Sequence, residues 1–463
     1  MNEYKIALVR PLYDSEIITP PLGIGYLSSY LKNSDYDVFL IDALKNNLRE
    51  ADIFKFLQVN KIDVLGITCM SATYNEAVRL SLFIKEHDKN IIVVIGGIHP
   101  TFLPYQTLSD SNCDFIVCGE GEKAFKQLLD NHFENNNIRG VYSLNELTSE
   151  KTPFEKAEAV SVLDDLPFPD WEQMRPDTYP VAPHGVFSKK YPIATMFSSR
   201  GCPYSCKFCA SPNFYDRKIR FRSAENVVAE IKLLTEKYHV KEIHFEDDNI
   251  TMNRQHIVSI CELILRNKIK ISWSCPNGIR TDTIDDDLVE LMKMSGFYAC
   301  SLGIESANAD ILKRIDKKED LDTAKNAINI LRKHKIETCG FFIFGLPGET
   351  KETLQETTQF ALKSGLTRAH FASLSVMPGC DLFKELDGYY FRDYSMNMYK
   401  KPNYSPDKLE KGVTSEEIIA AQSRAIRKFY LRLPILINCL RYIKFAQLKM
   451  IFKRLRLYHV FNK

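Results

Sequence analysis

Three thiols stand within eight residues of the stretch SSRGCPYSCKFCA, as Cys202-x3-Cys206-x2-Cys209. A structural zinc site closes with four protein ligands and a redox dithiol needs two. Three thiolates suit an iron-sulfur cluster that leaves one iron open for another ligand. Zinc with a remote fourth ligand and a coincidental grouping are the competing readings. The other nine of the twelve cysteines (Cys69, Cys113, Cys118, Cys261, Cys275, Cys300, Cys339, Cys380, Cys439) are scattered, as small buried residues are.

The opening residues, MNEYKIALVRP, run straight into a strand pattern without an apolar secretory segment, so the protein is expected in the cytoplasm with its thiols reduced. With 463 residues, 45% hydrophobic and 26% charged, the chain can build two or more globular cores. Its longest uncharged run, 91–109, contains Gly96, Gly97, Pro100 and Pro104 and cannot cross a bilayer as one helix. The net charge of +2 is uneven. Residues 424–463 hold eleven Lys or Arg and no Asp or Glu, leaving 50 basic against 59 acidic residues, a net of −9, before them.

The elements that must position the triplet fall into two alternating series. In residues 1–144 the strand-like runs KIALVRP, DVFLIDA, DVLGITCM, IIVVIGG and DFIVCGEGE are separated by helical patterns such as Leu22–Lys32, 75–87 and 122–132. This alternation predicts an α/β, doubly wound Rossmann-like parallel sheet, with ligands at the carboxyl ends of its strands, near Gly96, Gly97, Gly119 and Gly121. Tight turns are the plainer reading of those glycines, and no G-x-G-x-x-G or P-loop motif supports a nucleotide there. Residues 145–185, rich in Pro and Asp, read as an ordered linker that buries Leu166, Phe168 and Trp171 against a neighbour. Over 186–390 six further strand-helix units predict a partial (β/α)6 TIM-like barrel, and the cysteines follow its first strand on the face that carries chemistry in such barrels. Residues 391–463 read as a helical, basic C-terminal tail.

RGCPYSCKFC resembles the cluster motif of radical S-adenosylmethionine (radical SAM) enzymes, and residues from about 5 to about 390 resemble the group in which that barrel follows a cobalamin-binding domain. The resemblance implies a [4Fe-4S] cluster on Cys202, Cys206 and Cys209, with SAM chelated at the open iron and cleaved to a 5′-deoxyadenosyl radical. It implies that Phe208 lies near the adenine, that Asp247 or Asp248 in FEDDN accepts from the methionine ammonium group, and that Glu305 or Ser306 in LGIES bonds the ribose. Gly345 in GFFIFGLPGE would let the backbone approach the adenine. The segments PPLGIGYLSSYL, GGIHPTFLP and CGEGEKAF resemble those of the cobalamin-binding relatives, which makes cobalamin the expected third cofactor. The D-x-H-x-x-G motif is absent, and His99 is weighed as a cobalt ligand against an ordinary turn residue, with the turn preferred. His370, Tyr215 and Cys380 are set between substrate contact and packing.

The resemblance implies an enzyme that methylates an unactivated carbon through cobalamin. Cyclisation, ring contraction or rearrangement without methyl transfer is the alternative, and a cluster- or cobalamin-based sensor is the alternative of another class. Expected partners are a small-molecule substrate, such as a lipid or biosynthetic intermediate, and a reductant such as flavodoxin or ferredoxin. The local positive charge and the absence of an RNA-binding pattern argue against nucleic acid. The tail reads as a helix packed on the barrel, with contact to an anionic membrane surface as the alternative.

Overall fold

Strand runs that are apolar on both faces suit parallel sheets covered by helices on each side. In the computed structural model, which describes residues 4–15, 17–134, 137–181, 184, 188–385, 394 and 412–442, such runs form two sheets in two units, Met1–Tyr179 and Pro180–Lys463.

The first unit contains β1 (Lys5–Arg10), β2 (Asp37–Asp42), β3 (Val64–Thr68), β4 (Ile92–Gly97), β5 (Phe115–Cys118) and β6 (Val141–Tyr142), in the order β2-β1-β3-β4-β5-β6. The first five are mutually parallel, and β6 is antiparallel to β5. Helices Leu22–Lys32, Glu50–Asn60, Tyr74–His87, Pro104–Ser111 and Gly121–Asp130 connect or flank them. In the last of these Ala124, Phe125, Leu128 and Leu129 form one apolar stripe, buried with Ile6, Leu8, Val64 and Val94. The pairing of Thr68 with Gly96 and of Gly97 with Cys118 brings the glycine-rich carboxyl ends of β3, β4 and β5 side by side.

Of residues 145–185, expected as a linker, 145–179 belong to this first unit. Asp170 caps the short helix Trp171–Met174 and accepts from Ser28 Oγ at 2.8 Å and Lys32 Nζ at 2.7 Å, while Trp171 is buried. Gln173 closes the edge of β2: its Oε1 accepts the Leu40 amide and its Nε2 donates to the Val38 carbonyl, both at 2.9 Å. A side chain thus does what another strand would do at an open edge.

The second unit contains β7 (Ile193–Met196), the two-stranded ribbon β8 (Ser199–Arg200) and β9 (Arg220–Phe221), then β10 (Glu242–Phe245), β11 (Ser272–Ile279), β12 (Phe297–Glu305), β13 (Glu337–Phe344) and β14 (Arg368–Ser373). Setting the ribbon aside, the six long strands pair in chain order and all run parallel, the layout of a partial barrel. The helices after them start where the sequence supplies a cap: Ser223, Asn253, Asp285, Asn308, Asp320 and Thr350 each accept a backbone N–H from the first turn. Along β13 the burial alternates. Thr338, Gly340, Phe342 and Phe344 are buried, while Cys339, Phe341 and Ile343 on the other face are half-buried.

The edge at β14 is covered by helix Ser415–Tyr430, which buries Ile418, Ala421, Ala425, Ile426 and Phe429. Gln422 Nε2 donates to the Phe371 carbonyl at 2.8 Å, and the Tyr430 hydroxyl donates to the Ala369 carbonyl at 2.8 Å and accepts its amide at 3.3 Å. The described start of the basic tail is therefore a helix packed on the barrel, followed by helix Leu433–Tyr442, with Pro434 in its first turn as expected. Lys444, Lys449, Lys453 and Arg454 lie outside the described residues. No helix among the described residues is long and apolar enough to cross a membrane.

Phe429 is fully buried and lies edge-on to Phe371, 6.3 Å between ring centroids. Phe429→Ala is expected to destabilise the second unit by about 3–5 kcal/mol, whereas Leu431→Ala, at a 63% exposed position, should change it by less than about 0.5 kcal/mol. Thermal and denaturant unfolding of the two variants checks this.

Candidate cluster and cofactor site

The cysteine loop leaves β7 at its carboxyl end and has little regular structure of its own, so its shape depends on what it is tied to. Asp247, just past β10, accepts from the Ser198 amide at 3.0 Å, Ser198 Oγ at 2.7 Å and Ser199 Oγ at 2.6 Å. His256 Nε2 meets the same Ser198 hydroxyl at 3.1 Å. Gly201 has φ +105°, and a Cβ there would lie 2.1 Å from the Lys218 carbonyl oxygen, so the turn into Cys202 is open to glycine alone. Beyond it, the Cys209 amide donates to the Cys206 carbonyl at 3.1 Å and the Lys207 amide to the Ile315 carbonyl at 3.0 Å. Ser205 Oγ donates to Asp316, and the Arg280 guanidinium lies over the Tyr204 ring, 3.9 Å from its centroid.

Cys202, Cys206 and Cys209 are free thiols, partly accessible to solvent. Burial pushes Cys202 up to about 11 and Cys209 up to about 12, and the Asp248 charge adds to both. Burial raises Cys206 too, with Lys317 working the other way. Thiols so costly to ionise alone become good ligands once a metal supplies positive charge. Among the described residues no three His, Cys, Asp or Glu side chains are arranged around a single metal ion. A cluster asks for something else, with each thiolate on its own iron, and three soft sulfur donors on one loop fit it.

The structure separates the two aspartates of FEDDN. The acceptor positions of Asp247 are occupied by Ser198 and Ser199 and the residue is buried, which suits holding β7 to β10 rather than receiving a ligand's ammonium group. Burial pushes its carboxyl up, and the serine donors only partly offset this. Asp248 is the accessible one; desolvation raises its carboxyl, the nearby Ser211 and Gly201 backbone work the other way, and its charge reaches Cys202 and Cys209. Glu305 ends β12 in the left-handed region, φ +62°, a conformation that costs a non-glycine residue on the order of 1 kcal/mol. Its carboxylate lies 3.4 Å from Lys317 Nζ. Ser306 is buried and turned to its own loop, accepting the Asn308 amide at 3.2 Å. Phe208 is half-buried between the second and third cysteines. Gly345 donates its amide to Glu349 Oε2 at 2.5 Å.

Three further residues of this region were not singled out from the sequence. Lys317, twelve positions after Glu305, is buried between Glu305 and Glu319, at 3.4 and 3.8 Å. Burial works against its charge and the two carboxylates outweigh it, so it stays an ammonium ion beside Cys206. Arg280 pairs with Glu319 at 3.2 Å and Asp282 at 2.8 Å. Glu349 is buried beneath the Gly345-Leu346 turn, and its Oε1 has no hydrogen-bond partner among the described residues. Only the sequence GLPGE pointed toward it.

In the first unit Gly96, Gly97, Gly119 and Gly121 stand at adjoining strand ends. Gly97, φ +118°, brings its backbone so close to the Cys69 carbonyl that a Cβ would sit 2.6 Å from that oxygen. At Gly119 a Cβ would lie 3.2 Å from the Ala157 amide nitrogen, so this edge too needs glycine for the close approach of the chain's own backbone. His99 does not fit the part of a cobalt ligand, nor is it a turn residue. It lies in helix Ile98–Phe102, enclosed, with Nδ1 3.2 Å from Ser71 Oγ and its ring stacked on Tyr74 at 4.0 Å, and burial pushes it down to about 3, leaving it neutral.

A doubly wound unit followed by six parallel strands with a three-cysteine loop at the first strand's end is the layout of radical SAM enzymes that carry a cobalamin domain. The radical SAM superfamily model matches residues 196–361 and the B12 binding domain model residues 14–129. An uncharacterized methyltransferase of Pyrococcus horikoshii is 32% identical over 95% of both chains. The anaerobic magnesium-protoporphyrin IX monomethyl ester cyclase of Rubrivivax gelatinosus is 30% identical over 93% of this chain and 79% of its own. The structure of the cobalamin-dependent SAM radical enzyme OxsB, with aqua-cobalamin and S-adenosylmethionine bound, shares the fold at TM-score 0.74 and 18% identity, covering 98% of this chain and 70% of that one. The chain belongs to the radical SAM superfamily, in the group with an N-terminal B12-binding domain.

Burial pushes Glu349 up to about 8, from an ordinary value of 4.5. The folded protein therefore holds this proton where the unfolded chain has lost it, and stability falls as pH rises through that window, by on the order of 1.4 kcal/mol per pH unit. Glu349→Gln should flatten this dependence. Denaturant melts of both proteins across the window check it, and an unchanged slope contradicts it.

Proposed function

We propose that this enzyme binds a [4Fe-4S] cluster on Cys202, Cys206 and Cys209, binds SAM beside it, and methylates an unactivated carbon of a small molecule with the help of cobalamin held by its first unit. When bound, the cluster supplies the electron that splits SAM into methionine and a 5′-deoxyadenosyl radical, and the corrin supplies the methyl group.

The observation that carries this reading is the charge pattern around the cysteine loop. Lys317 offers a buried ammonium for the carboxylate of SAM's methionine, and Asp248 offers a carboxylate for its amino group. Glu305, 3.4 Å from Lys317, is our candidate for the ribose hydroxyls and Phe208 and Gly345 are those for the adenine, while Ser306, buried and bonded within its own loop, supports the turn rather than the ribose. Asp247 positions the loop instead of touching SAM. Gly96, Gly97, Gly119 and Gly121 receive the corrin without a histidine ligand. The half-buried Cys339, Phe341 and Ile343 face of β13, with His370 edge-on to Phe341 at 5.6 Å, suits a largely apolar substrate such as a lipid or a biosynthetic intermediate. A flavodoxin or ferredoxin of the cytoplasm would supply the electron.

The methyltransferase relative, aligned over nearly the full length of both chains, favours methyl transfer. The cyclase relative supports oxidative cyclisation as the second reading. Co-product analysis decides between them. A methylase uses SAM once as radical source and once as methyl donor, so deoxyadenosine and S-adenosylhomocysteine should form in similar amounts, the latter only with cobalamin. Deoxyadenosine with turnover but no homocysteine product would leave the cyclase reading. Lys317→Gln should raise the KM for SAM by about 10- to 100-fold, the worth of one charged hydrogen bond, and Cys206→Ser should lose both the cluster and deoxyadenosine formation.

A further inference from the structure

Exposed leucines are common one at a time, whereas a group of them beside charge of a single sign marks a surface that meets a partner. Among the described residues thirteen large apolar side chains are exposed, and four of them fall within 431–437: Leu431 at 63%, Leu433 at 69%, Leu436 at 41% and Ile437 at 47%. Helix Leu433–Tyr442 has two unlike faces. On the inner one Ile435 is buried and Asn438 Nδ2 donates to Glu337 Oε2 at 2.9 Å. Leu433, Leu436 and Ile437, at the helical spacing i, i+3 and i+4, make up the outer one. Glu337 is the first residue of β13, an eight-residue strand, so this helix and the cysteine loop stand at opposite ends of the barrel, about 23 Å apart along the strand.

The charge beside the outer face has one sign. Residues 424–463 carry eleven Lys or Arg and no Asp or Glu, six of the eleven after Tyr442. Arg424 and Lys428 are exposed on helix Ser415–Tyr430 and lead, at i, i+4 and i+7, to Leu431. Arg432 is used inward, donating to the Leu362 carbonyl and lying over the Phe429 ring, 4.2 Å from its centroid.

We propose that Leu431, Leu433, Leu436 and Ile437, with the basic residues before and after them in sequence, form a docking surface for an anionic lipid bilayer, on which helix Leu433–Tyr442 lies flat. Its ten residues are about 15 Å long, half the thickness of a hydrocarbon core, so the helix rests on the bilayer and does not span it. Stable attachment takes two signals, an apolar insertion and a positive field, and this segment has both. A second copy of the chain is the poorer occupant, because a symmetric pairing through this face sets the basic segment against its own copy. A nucleic acid would use the charge and leave the leucines in water. Docked in this way, the barrel keeps its cysteine loop at the end away from the lipid.

The test is co-sedimentation of the full chain with vesicles of phosphatidylcholine alone, and of phosphatidylcholine with roughly one-third phosphatidylglycerol, at low and high salt. The wild type should bind the anionic vesicles at least about 10-fold more tightly than the neutral ones, and lose that preference as salt screens the headgroups. The triple variant Leu433→Gln, Leu436→Gln, Ile437→Gln should bind them about 10-fold more weakly or worse, with its unfolding midpoint within about 3 °C of the wild type because these side chains already face water. Arg424→Glu with Lys428→Glu should weaken binding through charge alone. A wild type that stays in the supernatant, equal binding to both kinds of vesicle, binding that both variants leave unchanged, or a dimer in light scattering that the triple variant dissolves overturns the proposal.

Discussion

A single buried carboxylate decides where the chemistry of this protein takes place. Asp247 receives the Ser198 amide and the hydroxyls of Ser198 and Ser199, joining the end of β10 to the end of β7 at the point where the cysteine loop departs. An unpaired buried carboxylate would cost several kcal/mol, and hydrogen bonds to a charged group return about 1.5–3 kcal/mol each. The arrangement is stable only with the serines in place, and so the loop has one starting geometry. Gly201, forced against Lys218, then turns the chain, and Tyr204, Ser205 and Lys207 dock on Arg280, Asp316 and Ile315. The apolar cores supply the stability of the fold, and these polar contacts supply the position of the thiols.

An open barrel and an open sheet share the problem of unpaired edge amides. Both units solve it with side chains carried by segments outside the sheets: Gln173 on β2, and Gln422 with Tyr430 on β14. This explains why sequence beyond the regular strand-helix alternation is retained in the folded units. Residues 145–179 and helix Ser415–Tyr430 cover what six-stranded sheets leave bare.

The strands and the cysteine triplet were legible because their signals are local: apolar strand runs alternating with helical patterns, and three thiols on one loop. What the sequence could not show depends on partners far apart in the chain. Asp247 and Asp248 are chemically identical neighbours, and only their different partners and exposure separate a loop-holding residue from an accessible one. Lys317 has no motif, and its meaning comes from Glu305 and Cys206. His184 meets His244 from 60 positions away, out of a stretch that looked like linker. His99 was misread for the complementary reason: a histidine after a glycine pair suggests a turn, while the first unit encloses it beneath Tyr74.

The central claim is that the three thiolates hold a cluster with one iron open to SAM. Electron paramagnetic resonance of the anaerobically reconstituted and reduced protein, recorded before and after adding SAM, tests it most directly. The account predicts a reduced [4Fe-4S] signal whose g-values shift when SAM binds at the open iron. A protein that takes up no cluster, or a cluster signal that SAM leaves unchanged, would contradict it.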